Sequence, residues 1–340
     1  MKTGRLVLSI SLTAFVVASF AQSSKLMMKA IVVHEYGGPE VLKYEGVPRP
    51  DPKDNEILVR VVAAGVNPVD GVVRSEKGAQ FFHIKLPAVP GYDIAGVVEK
   101  AGAEITKFKT GDPVYAYIAL DKAGGYAEYA VATEREAALK PKSLTYVDAA
   151  AAPLVAETAW QALVDTAKLS AGQTVLIHGG SGGVGSFAIQ IARARGAKVI
   201  ATASTANQDL LKQLGADVAI DYTKQKFEDA AKDVDVVLDS VGKDTLARSY
   251  GVVKKGGFIV SIAGRPDPVE LEKHGIHGAS MSVDPNSSEL SEIGKLIDDK
   301  KIKVIVSQVL PLSEAAKAQE QVATGHTRGK IVLKVGDEPK

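Results

Sequence analysis

The residues whose types and spacing most clearly carry chemistry lie in one stretch, Gln173 to Gly196. Thr174 to Ile177 reads as a short buried strand, and Gly179 to Gly183 as a loop with almost no side chains. Val184 to Arg195 has apolar residues at helical spacing and is closed by Gly196. Gly180, Gly182 and Gly185 make a G-x-G-x-x-G inside it. In such a unit one glycine allows the tight turn off the strand, one lets the backbone approach a pyrophosphate, and one lets the helix pack closely on the strand. The N–H groups at the helix start then face the phosphates. A second strand, Ala197 to Ala201, follows where a βαβ unit needs it. The stretch therefore predicts a dinucleotide site contacted by Gly180, Ser181, Gly182, Gly183 and Val184. Ser181 sits in G-G-S-G-G, superficially a nucleophile elbow. No Asp/His order accompanies it, so it reads as a phosphate contact.

The next residues choose the nucleotide. A carboxylate at the end of the second strand would bind a ribose 2′-hydroxyl, but here the chain runs Ala201-Thr-Ala-Ser-Thr205. Nothing there repels a 2′-phosphate, and Ser204, Thr205 and Asn207 can donate hydrogen bonds to one. This favours NADPH over NADH. The alternative is that Ser204 only caps the following helix. Ser240, Gly242 and Gly264 follow expected parallel strands, where cofactors bind; the alternative is a simple turn. His178, just before the loop, reads as buried structure rather than a base.

Length and composition bound the rest. The 340 residues allow two domains, and 46% hydrophobic residues allow a sizeable core. A formal charge of +1 gives no basic field for nucleic acid. The absence of cysteine excludes disulfides, Cys-ligated zinc, iron–sulfur clusters and a Cys nucleophile. At the N-terminus Lys2 and Arg5 precede Leu6 to Phe20, an uncharged and mostly apolar run of 15 residues. Ser19 and Ala21 supply small residues for cleavage before Gln22, so residues 1–21 read as a secretory signal peptide. The run is shorter than the roughly 20 residues of a membrane span, so no stable membrane anchor is expected. That address is periplasmic or secreted. The alternatives are an uncleaved anchor, or a cytoplasmic protein starting at Met27 or Met28.

The elements that must position these residues differ along the chain. From Met28 to about residue 150 short Val/Ile/Leu runs alternate with Pro/Gly turns, which predicts a compact β barrel or sandwich. Glu56 to Val62 partly alternates, as a half-exposed strand would. Ten of the 15 prolines lie at or before Pro153 and none between Leu154 and Arg265. In that window strands alternate with helical patterns, so 151–299 reads as an α/β doubly wound parallel sheet, the Rossmann arrangement. Ser288 to Asp299 and Ser313 to Ala323 read as helices, and Lys303 to Pro311 and Lys330 to Val335 as strands. His274 and His277 are placed on a Gly-rich surface loop.

Several stretches together resemble a known family. They include Ala63-Ala-Gly-Val-Asn-Pro-Val-Asp70, Pro90-Gly-Tyr-Asp-Ile-Ala-Gly96, Gly124-Gly-Tyr-Ala-Glu-Tyr129 and Ala152-Pro-Leu-Val-Ala-Glu-Thr-Ala159. Gly179 to Gly185, Asp239-Ser-Val-Gly242 and Gly329-Lys-Ile-Val-Leu333 continue the match. In this order the chain resembles the zinc-independent quinone oxidoreductase branch of the medium-chain dehydrogenases/reductases. The resemblance implies a GroES-like β-barrel domain over 28–150, completed by 300–340, with the Rossmann domain inserted in it. It also implies an active site between the two, and a homodimer. Zinc-dependent relatives carry Cys near Asn67 and a His-Glu pair near Tyr92 and Asp93, so no zinc is expected here. Without a Lewis acid, alcohol oxidation is hard, whereas a quinone or enone accepts hydride with only hydrogen-bond help.

By the same resemblance Asn67 lies near the nicotinamide and the acceptor oxygen. Tyr92 is a donor or a cleft wall, and Asp70 holds the loop rather than transferring protons. Thr158 approaches the nicotinamide, and Tyr222 lies over the adenine or the 2′-phosphate. The expected activity is NADPH-dependent reduction of a small-molecule quinone or α,β-unsaturated carbonyl. The alternatives are an enoyl-thioester reductase and a non-catalytic NADPH-binding sensor. An exported chain would meet little free NADPH, a tension the sequence leaves open.

Overall fold

The computed structural model describes residues 26–82, 84–122 and 124–339. The expected signal peptide, 1–21, lies outside them. Strands β1 (Met27–Val33), β2 (Leu42–Pro48), β3 (Glu56–Val66), β4 (Asp93–Ala101), β5 (Pro113–Tyr117), β6 (Tyr129–Thr133) and β7 (Ala137–Leu139) come first. Then follow β8 (Thr174–Ile177), β9 (Lys198–Ala203), β10 (Val218–Asp221), β11 (Val234–Asp239), β12 (Val253–Ser261) and β13 (His277–Ser280). The chain ends on β14 (Val306–Pro311) and β15 (Lys330–Lys334).

The nucleotide half is a parallel sheet in the order β10-β9-β8-β11-β12-β13. Numbered from β8, that is 3-2-1-4-5-6, with a topological switch point between β8 and β11. Every strand runs the same way, so every strand ends on one edge. That edge carries the glycine loop after β8, Ser204 after β9, Tyr222 after β10, Ser240 after β11 and Gly264 beyond β12. The helix Gly183–Ala194 packs Phe187, Ala188, Ile189, Ile191 and Ala192 into the core. It stops where expected: Gly196 takes φ +78°, and the Gly196 and Ala197 N–H groups donate back to Arg193 and Ala192.

The other half is built on β3. It pairs with β4, β6 and β15, and the sheet runs β14-β15-β3-β4-β5-β7. The C-terminal segment thus returns to the sheet that the N-terminal segment began. The expectation of a half-exposed strand at Glu56–Val62 is corrected here. Arg60 alone of Glu56–Val66 is not fully buried. Neighbouring strands occupy both of its edges, and the helix Tyr146–Ala150 covers it. The partial alternation comes from two polar residues, Glu56, which is itself buried, and Arg60, which is paired on both sides.

Two further segments differ from the sequence reading. The β-rich half contains helices at Pro68–Val73 and Glu76–Phe82, directly after Asn67. His274 ends the helix Pro268–His274, and His277 opens edge strand β13. His277-Gly-Ala-Ser280 has no β-branched residue to mark it as a strand, and pairing with β12 supplies its structure.

Candidate active site and cofactor cleft

Each glycine of the loop has a separate physical reason. Gly179 adopts φ +68°, which turns the chain off β8. A Cβ on Gly180 would lie 2.8 Å from Leu211 Cδ2 and 3.1 Å from Ala201 Cβ, so this glycine permits packing. A Cβ on Gly185 would overlap the Gly179 carbonyl oxygen, so this glycine brings the helix against the turn. Gly182 is different. A Cβ there would meet only the Gly179 oxygen, at 3.4 Å, and otherwise point into open space. Gly182 is also the N-cap of the helix Gly183–Ala194, and no side chain caps it. The first-turn N–H groups, including those of Gly183 and Val184, are therefore available to an anion. A pyrophosphate fits this cradle. Ser181 turns its backbone elsewhere: its carbonyl accepts from Gly329 N at 2.8 Å.

The second nucleotide edge is brought together by register. Ala203 pairs with Asp221, which sets Ser204 beside Tyr222. Ser204 begins the turn Thr205–Asn207 without a side-chain capping bond, so the capping alternative is not realised. Its Oγ accepts from Asn207 Nδ2 at 3.2 Å, which leaves its own O–H free to donate. Tyr222 is 53% exposed and available as a flat surface. The expectation for Thr205 is corrected. Its hydroxyl donates to Asp221 Oδ2 at 2.5 Å and is not free for a phosphate. β9 itself ends without a carboxylate, and the carboxylate nearest to this turn, Asp221, comes from the end of β10. The Thr205 and Thr223 hydrogen bonds hold its carboxyl below the usual range, and Lys224 Nζ lies 3.6 Å away.

Ser240 donates to the His178 carbonyl at 2.8 Å and packs under Gly179. Its hydroxyl therefore shapes the loop. Gly264 lies on the same edge in a bend after β12. His178 is buried between Thr202 and Ser249, and burial lowers its pKa to about 4, so it is neutral structure. Thr158 is buried on the helix Pro153–Trp160. Its hydroxyl donates to the Leu154 carbonyl at 2.6 Å, which leaves oxygen lone pairs as the only group it can offer a cofactor amide.

On the facing side, Asn67 ends β3 and caps the helix Pro68–Val73. Its backbone N–H donates to Asp70 Oδ2 at 2.7 Å, and Tyr126 Oη donates to the same oxygen at 2.6 Å. Burial pushes the Asp70 carboxyl up to about 7 against these bonds. Asp70 thus ties the loop together through one oxygen. Its other oxygen and the Tyr92 hydroxyl have no hydrogen-bond partner among the described residues. Both residues line a cavity of about 20 Å³, with Arg74 and Ile84 beside them. Tyr92 is fully buried, and burial raises its pKa above the usual value.

Two further residues, which the sequence did not single out for the site, complete the centre. Asp93 is wholly buried and accepts from Leu154 N at 2.7 Å, from Asn67 Nδ2 at 2.8 Å and from Lys330 Nζ at 3.1 Å. Lys330, 4% exposed, also donates to Asn67 Oδ1. The available signal for Lys330 was a charge opening an apolar strand directly after a glycine.

With this geometry in place, comparison with known proteins is informative. The family described as "Alcohol dehydrogenase GroES-like domain" matches residues 53–142, and "Zinc-binding dehydrogenase" matches 214–333. A 2-methylene-furan-3-one reductase of Solanum lycopersicum is 41% identical over 317 residues, covering 90% of this chain and 79% of the relative. An NADPH-dependent alkenal/one oxidoreductase of Arabidopsis thaliana is 41% identical over 318 residues, with the same coverage of 90% and 79%. The solved structure of the quinone oxidoreductase from Coxiella burnetii superposes with a TM-score of 0.85 at 36% identity, over 92% of this chain and 100% of that one. The chain belongs to the zinc-independent quinone oxidoreductase branch of the medium-chain dehydrogenases/reductases.

For a member of the quinone oxidoreductase branch, the chemistry around Asn67 is coherent. The places near which zinc is expected in zinc-dependent relatives are occupied here by Asn67, Tyr92 and Asp93. An amide and a phenol are poor zinc ligands, and the Asp93 carboxylate is already occupied by a cation and two N–H donors. The GroES-like barrel and the Rossmann sheet meet at a bridge between Gly182 and Gly329. At that seam Gly329 bonds the nucleotide loop, and the next residue, Lys330, opens β15 and reaches Asn67.

Proposed function

We propose that the chain is an NADPH-dependent reductase of quinones and α,β-unsaturated carbonyls that works without zinc. The observation that carries this reading is the seam. The open cradle at Gly182 is hydrogen-bonded through Ser181 and Gly329 to the strand whose Lys330 reaches Asn67. A reductase needs a nucleotide site and a polar acceptor site side by side, and this arrangement provides them. The names of the Arabidopsis, tomato and Coxiella proteins support the cofactor and the two acceptor classes.

NADPH, when bound, supplies a hydride. The protein does the rest. Ser181, Gly183 and Val184 would hold the pyrophosphate with backbone N–H groups at the helix start. The expectation for Gly180 and Gly182 is corrected, since their N–H groups donate to the Thr202 and Gly179 carbonyls and fix the shape of the loop. Ser204 and Asn207 donate to the 2′-phosphate, and Tyr222 covers the adenine end. Thr158 offers its oxygen to the nicotinamide amide, while Ser240 and Gly264 shape the edge. Asn67 has one Nδ2 hydrogen on Asp93 and one left for the acceptor oxygen. Tyr92 can donate from its unpartnered hydroxyl. The acceptor is a quinone or enone because its charge develops on an oxygen that N–H donors can serve. The test is a stopped-flow survey of NADPH oxidation against quinones and enones. Tight NADPH binding with no turnover on any acceptor would overturn the reading.

We also read the protein as a homodimer, since β13 is an edge strand with a partner on one side only. Sedimentation that gives one chain's mass would overturn that. Residues 1–21 remain a proposed export signal, with periplasmic or secreted location following from it. N-terminal sequencing of the natural protein tests it; a start at Met27 or Met28 would place the protein in the cytoplasm.

A further inference from the structure

An amide carries a donor end and an acceptor end, and its neighbours decide which way it faces. Asn67 lies between an ammonium, which only donates, and a carboxylate, which only accepts. Its Oδ1 must face Lys330 and its Nδ2 must face Asp93, as observed. The second Nδ2–H is thereby given one direction. The ammonium itself has three N–H groups, of which Asn67 and Asp93 take two. Its side chain lies along the nucleotide loop: a Cβ on Gly183 would be 3.1 Å from Lys330 Cδ. The preceding residue, Gly329, is hydrogen-bonded to Ser181 at 2.8 Å. Lys330 therefore places a buried positive charge beside Asn67 and Asp93.

We propose that Lys330 is the positioning residue and resident cation of the acceptor site, orienting Asn67 and favouring the oxyanion that forms on the acceptor. The proposal rests on the reductase reading. In the reaction, a C–H bond would form at the acceptor carbon as a C–H bond of the reduced nicotinamide breaks, so that the acceptor is reduced and NADPH is oxidised to NADP⁺. The C=C electron pair shifts toward the carbonyl oxygen, and the resulting enolate takes a proton from water. The negative oxygen exists only after hydride arrives, so a cation near it favours the reacted state over the bound substrate.

A purely structural role would be to neutralise buried Asp93, and a paired substitution separates the two roles. Lys330→Met leaves Asp93 as an unpaired buried charge, which can itself prevent folding. Lys330→Met with Asp93→Asn removes both charges and keeps an oxygen for the Leu154 N–H. Asp93 also orients the Asn67 amide, so Asp93→Asn alone is the reference for the double variant. If Lys330 only balances Asp93, the double variant reduces an enone at least as fast as Asp93→Asn. If Lys330 serves the oxyanion, kcat of the double variant falls about 100-fold below that of Asp93→Asn, with NADPH affinity and melting temperature near those of Asp93→Asn. The loss is also larger for a weakly activated enone than for a readily reduced quinone.

An equilibrium readout needs no turnover. With NADP⁺ present, 4-nitrophenol serves as an oxyanion probe, and its absorbance reports the phenolate fraction. The wild type favours the bound phenolate over the phenol by about tenfold more than the double variant. Equal phenolate fractions, or an enone kcat in the double variant equal to that of Asp93→Asn, would overturn the proposal. A wild-type protein that reduces no acceptor would count against the reductase reading, and the phenolate probe would then decide Lys330 independently.

Discussion

The Thr205 hydroxyl donates to Asp221 Oδ2 across 2.5 Å, joining the turn after β9 to the end of β10. This bond divides the nucleotide edge into a part that is spoken for and a part that is open. Thr205 is committed, whereas Ser204 keeps its proton. Ser204→Asp would bring a second carboxylate to this edge, repel a 2′-phosphate and accept from a ribose hydroxyl. The expected result is a shift of the NADPH/NADH kcat/KM ratio toward NADH by about tenfold or more. Thr205→Val should keep NADPH affinity within about threefold and instead lower the unfolding free energy by about 1–3 kcal/mol. An unchanged coenzyme ratio in Ser204→Asp would refute the 2′-phosphate assignment.

The glycine loop makes opposite predictions for two neighbours. Gly182 has φ −78° and ψ −179°, a conformation alanine accepts, and its missing Cβ leaves open space. Gly182→Ala should melt near the wild type yet bind NADPH about tenfold more weakly, because the methyl group occupies the phosphate approach. Gly185→Ala forces a Cβ into the Gly179 carbonyl. It should lose about 1–3 kcal/mol of stability, measurable by urea unfolding of the ligand-free protein. A Gly182→Ala protein with unchanged NADPH affinity would remove the phosphates from this cradle.

The contrast between these two regions explains what was legible beforehand. The glycine loop could be read because its requirements are local: a turn, a close approach and a helix start within seven residues, Gly179 to Gly185. The doubly wound sheet was legible from strand and helix periods and from the proline-free window. The Thr205–Asp221 bond spans 16 residues and depends on Ala203 lying opposite Asp221, a register that composition does not encode. Lys330 and Asn67 are 263 residues apart and meet only because β15 returns beside β3. The burial of Glu56–Val62 is hidden from its own alternation for the same reason, since it is set by β4, β6, β15 and a helix contributed from elsewhere in the chain.

Tyr92 offers a test that separates stability from activity. Its hydroxyl is buried without a partner among the described residues, which disfavours the folded state. Tyr92→Phe should therefore melt no lower than the wild type. If the hydroxyl serves the acceptor, kcat for an enone should fall about tenfold while NADPH affinity stays unchanged. A variant with both higher stability and full activity would assign Tyr92 to the cleft wall.

Glu157 predicts how stability depends on pH. Its side chain is fully buried beside Thr158, with Oε1 accepting from Asn286 N at 2.8 Å and Oε2 unpartnered among the described residues. Burial, assisted by the Glu289 and Asp93 charges, pushes its carboxyl from 4.5 up to about 9, against the Asn286 bond and Arg135. The folded state thus binds a proton more tightly than the unfolded state. This contribution is fully present below about pH 4.5 and is lost as pH rises toward about 9. Asp70 behaves alike, its share being lost as pH rises through about 7, and it is common to the wild type and a Glu157 variant, so it cancels in their comparison. Glu157→Gln keeps the shape and the Asn286 bond but cannot ionise. Between pH 7 and 9 the wild type should lose stability relative to the variant, by up to about 1.4 kcal/mol per pH unit. Parallel stability curves for the two proteins in urea across that range would show that Glu157 is already ionised at neutral pH.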